Sequence, residues 1–243
     1  MKEKLRLLFA KFKVLNWWKK TLLCIGLIIA LHWLYLVLLI FFLPPITTTQ
    51  IGGLMDGYGL RRDYVYYSDI SYVAGLAVIA SEDQVFPEHF GLDYEAIEKA
   101  MDFNSKHTKR KHGASTISQQ VAKNVFLWQG RSWIRKGLEV YFTFMIELLW
   151  SKERILQVYL NTIEMGPGIF GIEAAAKSYF NKSASRLNRS EAALIAACLP
   201  NPKRYKVSYP SGWMLTHRAW ILEQMDQIEP DEEIQAILRG MRH

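Results

Sequence analysis

A pair of carboxylates stands where a stretch of small apolar residues ends, and one of them has the setting of a general base. Residues 74–80 are small and apolar and predict a buried helix, and Glu82 and Asp83 follow its end. A carboxylate held there is partly removed from water, which raises its pKa toward the range that suits proton transfer near neutral pH. The alternative is that the acidic pair simply ends a helix in solvent. Which interpretation holds depends on whether other segments of the chain supply residues that would act together with this carboxylate.

A second segment carries hydrogen-bonding side chains along one side of a predicted helix. Helical spacing places Thr116, Gln120 and Lys123 on one face and leaves the apolar side chains on another. Ser115 is the predicted N-cap of this helix, and Asn124 extends the polar set. The segment is either a surface helix with its polar side in water or a set of groups that binds a polar substrate.

A third segment repeats charged residues at intervals of four. Arg131, Arg135 and Glu139 would lie along one side of a helix, with Lys136 beside them. The ordinary interpretation is an exposed Arg135–Glu139 ion pair, which is worth roughly a few tenths of a kcal/mol. The functional interpretation is an anion site, because guanidinium groups bind phosphate in a bidentate manner.

The net charge of +7 over 243 residues first suggests a nucleic-acid-binding protein. Its distribution argues against that class, because residues 1–20 contain seven lysines and arginines and one glutamate, and the remainder of the chain is nearly neutral. We therefore expect no nucleic-acid partner.

A cation-rich run at residues 102–112 predicts either a solvated, mobile loop or a loop that closes over an anionic substrate.

The segment after the basic tail predicts a membrane anchor. Residues 21–43 carry no formal charge and are followed by Pro44 and Pro45. A helix of that length spans about 34 Å, which exceeds the roughly 30 Å hydrocarbon core of a bilayer. Trp17 and Trp18, beside two lysines, fit a cytoplasmic membrane interface. A cleaved signal peptide is the alternative, but the apolar run is too long and no small-residue cleavage site follows it.

The sequence therefore divides into four parts. We predict a basic cytoplasmic tail (1–20), a transmembrane helix (21–43), a turn-rich linker (44–67) and a globular domain (68–243). Helical periodicity dominates the globular domain, so the predicted fold class is mainly α. A C-terminal helix around residues 213–227 shows no site-like cluster. Cys24 and Cys198 fall in different parts, and we expect no intramolecular disulfide.

Four motifs in order resemble the peptidoglycan glycosyltransferase family. They are E-D-x-x-F-x-x-H-x-G at residues 82–91, G-x-S-T-I-x-Q-Q-x-x-K-N at 113–124, R-K-x-x-E at 135–139 and K-x-x-I-L-x-x-Y-L-N at 152–161. The likeness covers residues 68–205, including an alanine-rich segment that ends in Tyr179 and Phe180. Several multi-residue motifs in the correct order make this resemblance specific.

The resemblance implies both a fold and a reaction. The implied fold is lysozyme-like and mainly α-helical, with a smaller lobe that faces the membrane. The implied reaction is the polymerisation of lipid II into β-1,4-linked glycan strands with inversion and release of undecaprenyl diphosphate. The sequence contains neither S-x-x-K nor K-T-G, so we expect no transpeptidase activity.

The matching motif positions imply a role for each candidate residue. Glu82 would be the general base that removes the proton from the acceptor hydroxyl. A diphosphate leaves as a stable anion, so Glu139, the second candidate catalytic residue, need not be an acid. It would orient the donor, Arg135 or a divalent cation such as Mg²⁺ or Mn²⁺, and the metal requirement is left open. The candidate substrate-binding residues are Asp83, Phe86, His89, Ser115, Thr116, Gln120, Lys123, Asn124, Arg131 and Arg135.

Two other functions stay open at this point. A lytic enzyme of lysozyme-like fold would also use a glutamate at a helix end, but it has no need of several cations around a diphosphate. A non-enzymatic, membrane-anchored cell-wall scaffold would need neither both glutamates nor the cations.

The resemblance also implies partners and a location. The implied partners are lipid II, the growing glycan strand and the membrane, with other cell-wall synthases or division proteins as further candidates. The implied location is the inner membrane of a bacterium, with a single-pass anchor, the amino terminus in the cytoplasm and the catalytic domain in the periplasm.

Overall fold

The computed structural model describes residues 16–107, 113–130 and 132–242. The chain forms two units, Met1–Phe42 and Leu43–His243. In the first unit, α1 (Trp17–Phe41) is the one helix of the described residues that is long and apolar enough to cross a membrane. It begins before the predicted span because the tryptophans and lysines at the predicted interface continue the helix.

The second unit consists mainly of short α-helices. In chain order they are α2 (Thr48–Met55), α3 (Tyr72–Glu82), α4 (Tyr94–Lys106), α5 (Ile117–Phe126), α6 (Trp133–Leu149), α7 (Lys152–Thr162), α8 (Ile172–Phe180), α9 (Arg189–Ala196), α10 (Gly212–Ile228) and α11 (Glu232–Leu238). Two short 3₁₀ helices lie at Tyr67–Asp69 and Ala184–Arg186. The predicted mainly α fold class, with one apolar helix ahead of the domain, is confirmed.

Three very short strands form a small mixed sheet. They are β1 (Arg61–Arg62), β2 (Glu164–Gly166) and β3 (Ile169–Phe170). The central strand β3 pairs in parallel with β1 and antiparallel with β2. Strands of this length cannot show an alternation of apolar and polar residues, and for that reason the sequence gives no sign of them.

The segment predicted as an extended linker, residues 44–67, contains α2 and β1 and belongs to the second unit. A capping box begins α2, because the Thr47 side chain accepts a hydrogen bond from the Gln50 N–H and the Gln50 side chain accepts one from the Thr47 N–H. The helix contains Gly52 and Gly53. Each glycine disfavours a helix by about 1 kcal/mol, so composition alone indicated turns, whereas the cap and the packing of α2 against α5 favour the helix.

Helix α3 is the central element of the second unit. Its residues 73–80 are all buried, and α9, α10 and α11 pack around it. Its small residues permit close approach, since a Cβ on Gly75 would lie 2.7 Å from Cδ2 of Leu238 in α11. The predicted buried helix is present, and Glu82 occupies its last position.

Helix α5 begins one residue later than the sequence indicated. Its N-cap is Thr116, not the predicted Ser115. Thr116 Oγ1 accepts from the Gln119 N–H at 3.1 Å, and Gln119 Oε1 accepts from the Thr116 N–H at 3.0 Å. This reciprocal cap requires a glutamine or glutamate three residues after the cap, and Ser115 has Ser118 in that position.

Helix α4 ends at Lys106. Asp93 Oδ1 caps it by accepting from the Ala96 N–H at 2.8 Å. The cation-rich run therefore starts inside this helix. Its residues 108–112 lie outside the part of the chain that the structure describes.

Gly91 occupies a position that only glycine fits. Its φ is +80°, and a Cβ there would lie 2.6 Å from Cγ2 of Thr143 and 2.9 Å from Cγ of Glu147. We expect Gly91→Ala to lower the free energy of unfolding by about 1–3 kcal/mol, because the variant adds backbone strain and a steric clash. Chemical denaturation of the detergent-solubilised chain measures this loss.

Gly137→Ala is the matched control. Gly137 lies in α6, and a Cβ there would have nothing within 4 Å. Alanine favours a helix over glycine by about 1 kcal/mol, so this variant should be as stable as the wild type or more stable. An equal loss of stability in both variants would contradict the steric explanation for Gly91.

Candidate active site

A cleft of about 1070 Å³ opens beside the end of α3. Residues from α3, from the segment before α5, from α5 itself and from α10 line it. Glu82, Gln120 and Lys123 lie in its wall, and the exposed Ser115 lies there too. The structure therefore brings together predicted site residues from two motifs that are separate in the sequence.

Glu82 is half-buried, and neutral donors hold its carboxylate. Gln120 Nε2 donates to Glu82 Oε2 at 2.7 Å, and Ser81 Oγ donates to Glu82 Oε1 at 3.1 Å. The Tyr159 hydroxyl of α7 donates to Gln120 Oε1 at 3.2 Å, which fixes the orientation of that amide. Burial raises the pKa of Glu82, the two hydrogen bonds oppose this increase, and the negative charge of Asp83 adds to it.

Asp83 is buried, and its carboxylate connects two segments of the chain beside the cleft. Its Oδ2 accepts from the N–H of Ile117, the first residue of α5, at 2.9 Å. His89 Nε2 lies 2.9 Å from Asp83 Oδ1, and His89 Nδ1 accepts from the Gly91 N–H at 3.1 Å. His89 Nε2 therefore carries the proton that Asp83 accepts. These contacts give Asp83 and His89 a structural role, and a direct substrate contact stays a prediction.

Phe86 belongs to the core beneath the cleft. Its side chain is fully buried, and Lys152 Nζ lies 4.6 Å from the centre of its ring. Lys152 Nζ also donates to the His89 carbonyl at 2.6 Å and to Glu147 Oε1 at 2.9 Å. Ser118 Oγ donates to the same Glu147 oxygen at 2.5 Å. This buried network was not predicted from the sequence, although the lysine that begins the fourth motif was a signal for it.

Two of the predicted substrate-binding side chains serve the scaffold. Besides capping α5, Thr116 Oγ1 donates at 2.7 Å to a loop carbonyl, that of Gly91. Asn124 is buried, and its Oδ1 accepts from the Thr49 hydroxyl at 2.9 Å. Thr116 still lines the cleft together with Gln120 and Lys123, whereas Asn124 does not. The Thr116 hydroxyl is held by the backbone because this residue is the N-cap, whose backbone is not helical.

Lys123 lies between Glu82 and a charged cluster on α6. Burial lowers the pKa of Lys123, and the negative charge of Glu139 opposes that change. The positive charges of Arg135 and Lys136 lower it further. In the described part of the chain, Glu139 pairs with those two cations and Glu82 with neutral donors, so neither carboxylate is paired directly with Lys123.

Glu139 is buried, and both of its carboxylate oxygens are occupied. Arg135 Nη1 donates to Oε2 at 2.9 Å, and Lys136 Nζ donates to Oε1 at 2.5 Å. The predicted charge stripe therefore forms a partly buried cluster and not an exposed pair. Arg135 Nε is buried and has no acceptor among the described residues. Arg131, which was predicted to continue the stripe, lies outside the described residues.

A divalent cation does not fit Glu139 in this arrangement. Mg²⁺ and Mn²⁺ bind carboxylate oxygens, but a divalent cation at Glu139 would meet the positive charges of Arg135 and Lys136, each of which pairs with one of its oxygens. Across the described ranges, no group of three or more His, Cys, Asp and Glu residues is placed to hold a metal ion.

Helix α10 contributes side chains to the cleft, although the sequence indicated no functional site in this helix. Four aromatic residues line this side of it: Tyr205, Trp213, His217 and Trp220. The last three recur at helical spacing on one face of α10, and that spacing was the available signal. An aromatic stripe at such spacing usually packs into a core, so the sequence alone does not place it in a cleft.

Comparison with known proteins connects this geometry to a family. The family profile described as Transglycosylase matches residues 49–226. The chain belongs to the Transglycosylase family. The family predicted from the four motifs is thus confirmed, and so is the predicted enzyme class, a glycosyltransferase.

Several curated proteins resemble this transglycosylase over most of its length, and each is named biosynthetic peptidoglycan transglycosylase. The protein of Escherichia coli (strain ATCC 8739) is 50% identical over 227 residues, which cover 90% of this chain and 94% of that protein. The protein of Yersinia pseudotuberculosis is 54% identical over 209 residues, covering 83% and 86%. The protein of Salmonella agona is 61% identical over 172 residues, covering 71% of each.

The raised pKa of Glu82 makes stability depend on pH. A raised folded-state pKa means that folding favours the protonated carboxyl, so its contribution is fully present at acidic pH and is lost as the pH rises through the folded-state pKa. Glu82→Gln cannot ionise. We therefore expect it to have a higher free energy of unfolding than the wild type near neutral pH and a similar one at acidic pH, as measured by chemical denaturation across pH.

Glu88→Gln controls for the loss of one negative charge, because Glu88 is an exposed carboxylate in the same segment. Its effect should not reproduce the pH-dependent gain of Glu82→Gln. A Glu82→Gln variant that is less stable than the wild type at neutral pH would show that burial is not the dominant effect on this carboxylate.

Proposed function

We propose that this transglycosylase polymerises lipid II, the undecaprenyl-diphosphate-linked disaccharide pentapeptide, into β-1,4-linked glycan strands. The names of its relatives support the substrate class. The observation that carries the proposal is the half-buried Glu82, held by Gln120 in a cleft that it shares with Lys123. Since the sequence contains neither S-x-x-K nor K-T-G, we expect no transpeptidase activity.

Glu82 acts in this proposal as the general base. Its ionised carboxylate accepts the proton of the acceptor's 4-hydroxyl while that oxygen attacks the anomeric carbon of the donor. One carbon–oxygen bond forms, the bond from the anomeric carbon to the diphosphate breaks, and its electron pair leaves with the diphosphate. A single displacement inverts the anomeric configuration. A base whose pKa is raised toward neutral pH accepts the proton more readily than an ordinary carboxylate.

The cations stabilise the charge that collects on the departing diphosphate. Lys123 supplies a positive charge beside Glu82 that no carboxylate of the described residues neutralises directly. Arg135 keeps a buried Nε–H without an acceptor among those residues. A phosphate oxygen would satisfy this donor, and the approach of the anion would raise the lowered pKa of Lys123.

Glu139 has a positioning role in this scheme. By accepting from Arg135 and Lys136 it fixes both side chains on the same side of α6. It transfers no proton, because a diphosphate leaves without protonation. No step is assigned to a divalent cation, since Glu139 does not fit one.

A lytic enzyme is the nearest alternative function. The raised pKa of Glu82 alone does not distinguish a lytic enzyme from a transferase, because a buried glutamate can also serve as an acid in glycoside hydrolysis. The cluster of Lys123, Arg135 and Lys136 favours transfer, since only a diphosphate leaving group requires it. A role as a scaffold for other cell-wall synthases or division proteins is compatible with this activity.

The anchor and one face of the domain fit a substrate that resides in a membrane. We propose that α1 crosses the inner membrane with the basic amino terminus in the cytoplasm and the catalytic domain in the periplasm. On the domain, α6 exposes several large apolar side chains to solvent: Trp133, Ile134, Tyr141, Phe144 and Leu148. Contact of this face with the outer leaflet would bring the diphosphate of lipid II close to the cations on the same helix.

Lipid II turnover by the detergent-solubilised full chain tests the proposal. The wild type should convert lipid II into a polymer that a muramidase digests. Lys123→Met should slow polymerisation by about 10²-fold, because it removes a charge next to the leaving group. Lys99→Met is the matched control, since Lys99 is exposed and pairs with Glu95 outside the cleft.

Two results would contradict the proposal. Digestion of purified cell-wall sacculi by the wild type, with no polymer formed from lipid II, would favour the lytic function. Equal polymerisation rates for Lys123→Met and Lys99→Met would show that the charge of Lys123 does not stabilise the leaving diphosphate.

A further inference from the structure

The four aromatic residues of the cleft form one continuous stack, which we call the aromatic stack. The rings of Tyr205 and Trp213 lie 4.4 Å apart at an angle of 15°. Those of Trp213 and His217 lie 4.8 Å apart at 29°, and those of His217 and Trp220 lie 5.2 Å apart at 7°. Each ring is therefore stacked on its neighbour at an angle of 29° or less.

The aromatic stack is not part of the hydrophobic core. Helix α10 buries a different set of side chains, Met214, Ile221 and Met225, each at most 1% exposed. Trp213 and Trp220 remain 45% and 40% exposed. Two large indole rings that stay half in water do not contribute the stabilisation that their burial would give. Exposed apolar groups of this kind are typical of a binding surface.

The stack lies in the same cleft as the reacting carboxylate. All four rings line the cleft together with Glu82 and Lys123. Helix α10, which carries three of the rings, packs against α3 and α9, whereas Lys123 is on α5, which packs against α6. The stack and Lys123 therefore border the cleft from different elements of the fold.

The two sides of the cleft differ in charge. Burial lowers the pKa of His217, so its imidazole is neutral between the indoles at neutral pH. The stack then carries no charge, while Lys123, which lines the same cleft, carries a positive charge. An uncharged aromatic wall suits the rings of a sugar, and the cationic side suits a phosphate group.

We propose that the aromatic stack is the subsite for the acceptor saccharide, where it holds the pyranose rings next to Glu82. This inference rests on the proposed function and deepens it by assigning residues to the acceptor. The β-1,4-linked N-acetylhexosamines have equatorial substituents, which leave both ring faces covered with C–H groups. These C–H dipoles are attracted to the negative face of an aromatic ring. Within the stack, Trp213 and His217 have a ring on each side, so the faces left for a sugar are the outer ones, of Tyr205 and Trp220. The N–H groups of both indoles can donate to hydroxyl and acetamido oxygens.

Binding of a soluble saccharide tests the stack without relying on catalysis. The probe is N-acetylchitotetraose, a β-1,4-linked tetramer of N-acetylglucosamine, titrated calorimetrically into the detergent-solubilised full chain. Trp220→Ala and Trp213→Ala should each weaken binding by about three- to tenfold. Trp220→Phe, which keeps an aromatic face, should bind nearly as well as the wild type.

Tyr209→Ala is the control, because Tyr209 is 83% exposed and is not among the residues that line the cleft. It should bind the tetrasaccharide like the wild type, and all variants should unfold at similar denaturant concentrations. In lipid II polymerisation, the two tryptophan-to-alanine variants should raise KM while kcat changes little.

The outcomes separate this inference from the proposed function. Wild-type polymerisation of lipid II combined with unaltered tetrasaccharide binding and KM in both alanine variants would overturn the subsite and leave the function intact. No detectable tetrasaccharide binding by the wild type would also overturn it. Tryptophan-dependent saccharide binding by a chain that does not polymerise lipid II would support the subsite and contradict the proposed function.

Discussion

The partial burial of Glu82 at the end of α3 is the constraint on which the site depends. Because α9, α10 and α11 enclose α3, its last residue reaches the cleft already surrounded by protein. An ionised carboxylate is costly there, and hydrogen bonds from Gln120 and Ser81 offset part of that cost. The packing that stabilises the domain is therefore also what raises the pKa of Glu82.

The polar residues around Glu82 divide into those that hold the scaffold and those left for a substrate. Asp83 joins the end of α3 to the start of α5, and Asn124 joins the end of α5 to α2. Among the groups near Glu82, the Lys123 ammonium has no directly paired carboxylate of the described residues, and the buried Nε–H of Arg135 has no acceptor among them. Fixed donors and charges of this kind need no reorganisation during the reaction, which is the basis of electrostatic preorganisation.

The features that depend on the local spacing of residues were predicted from the sequence. The buried α3 with Glu82 at its end and the placement of Gln120 and Lys123 on one helical face follow from apolar and polar periodicity. The links from Asp83 to α5 and from Asn124 to α2 could not be predicted, because each is a hydrogen bond between residues far apart in the chain. The aromatic stack was missed for a related reason, since the spacing of its rings indicates a helical face but not whether that face meets the core or a cleft.

Lipid II turnover and lipid II binding by the wild type and by Glu82→Gln test most directly whether Glu82 is the general base. We expect the wild type to form polymer and Glu82→Gln to lose polymer formation while it binds lipid II with similar affinity. Glutamine keeps the shape of the side chain and one of its two acceptor oxygens, but it cannot accept the proton. Polymer formation by Glu82→Gln at the wild-type rate would contradict the assignment of Glu82 as the general base.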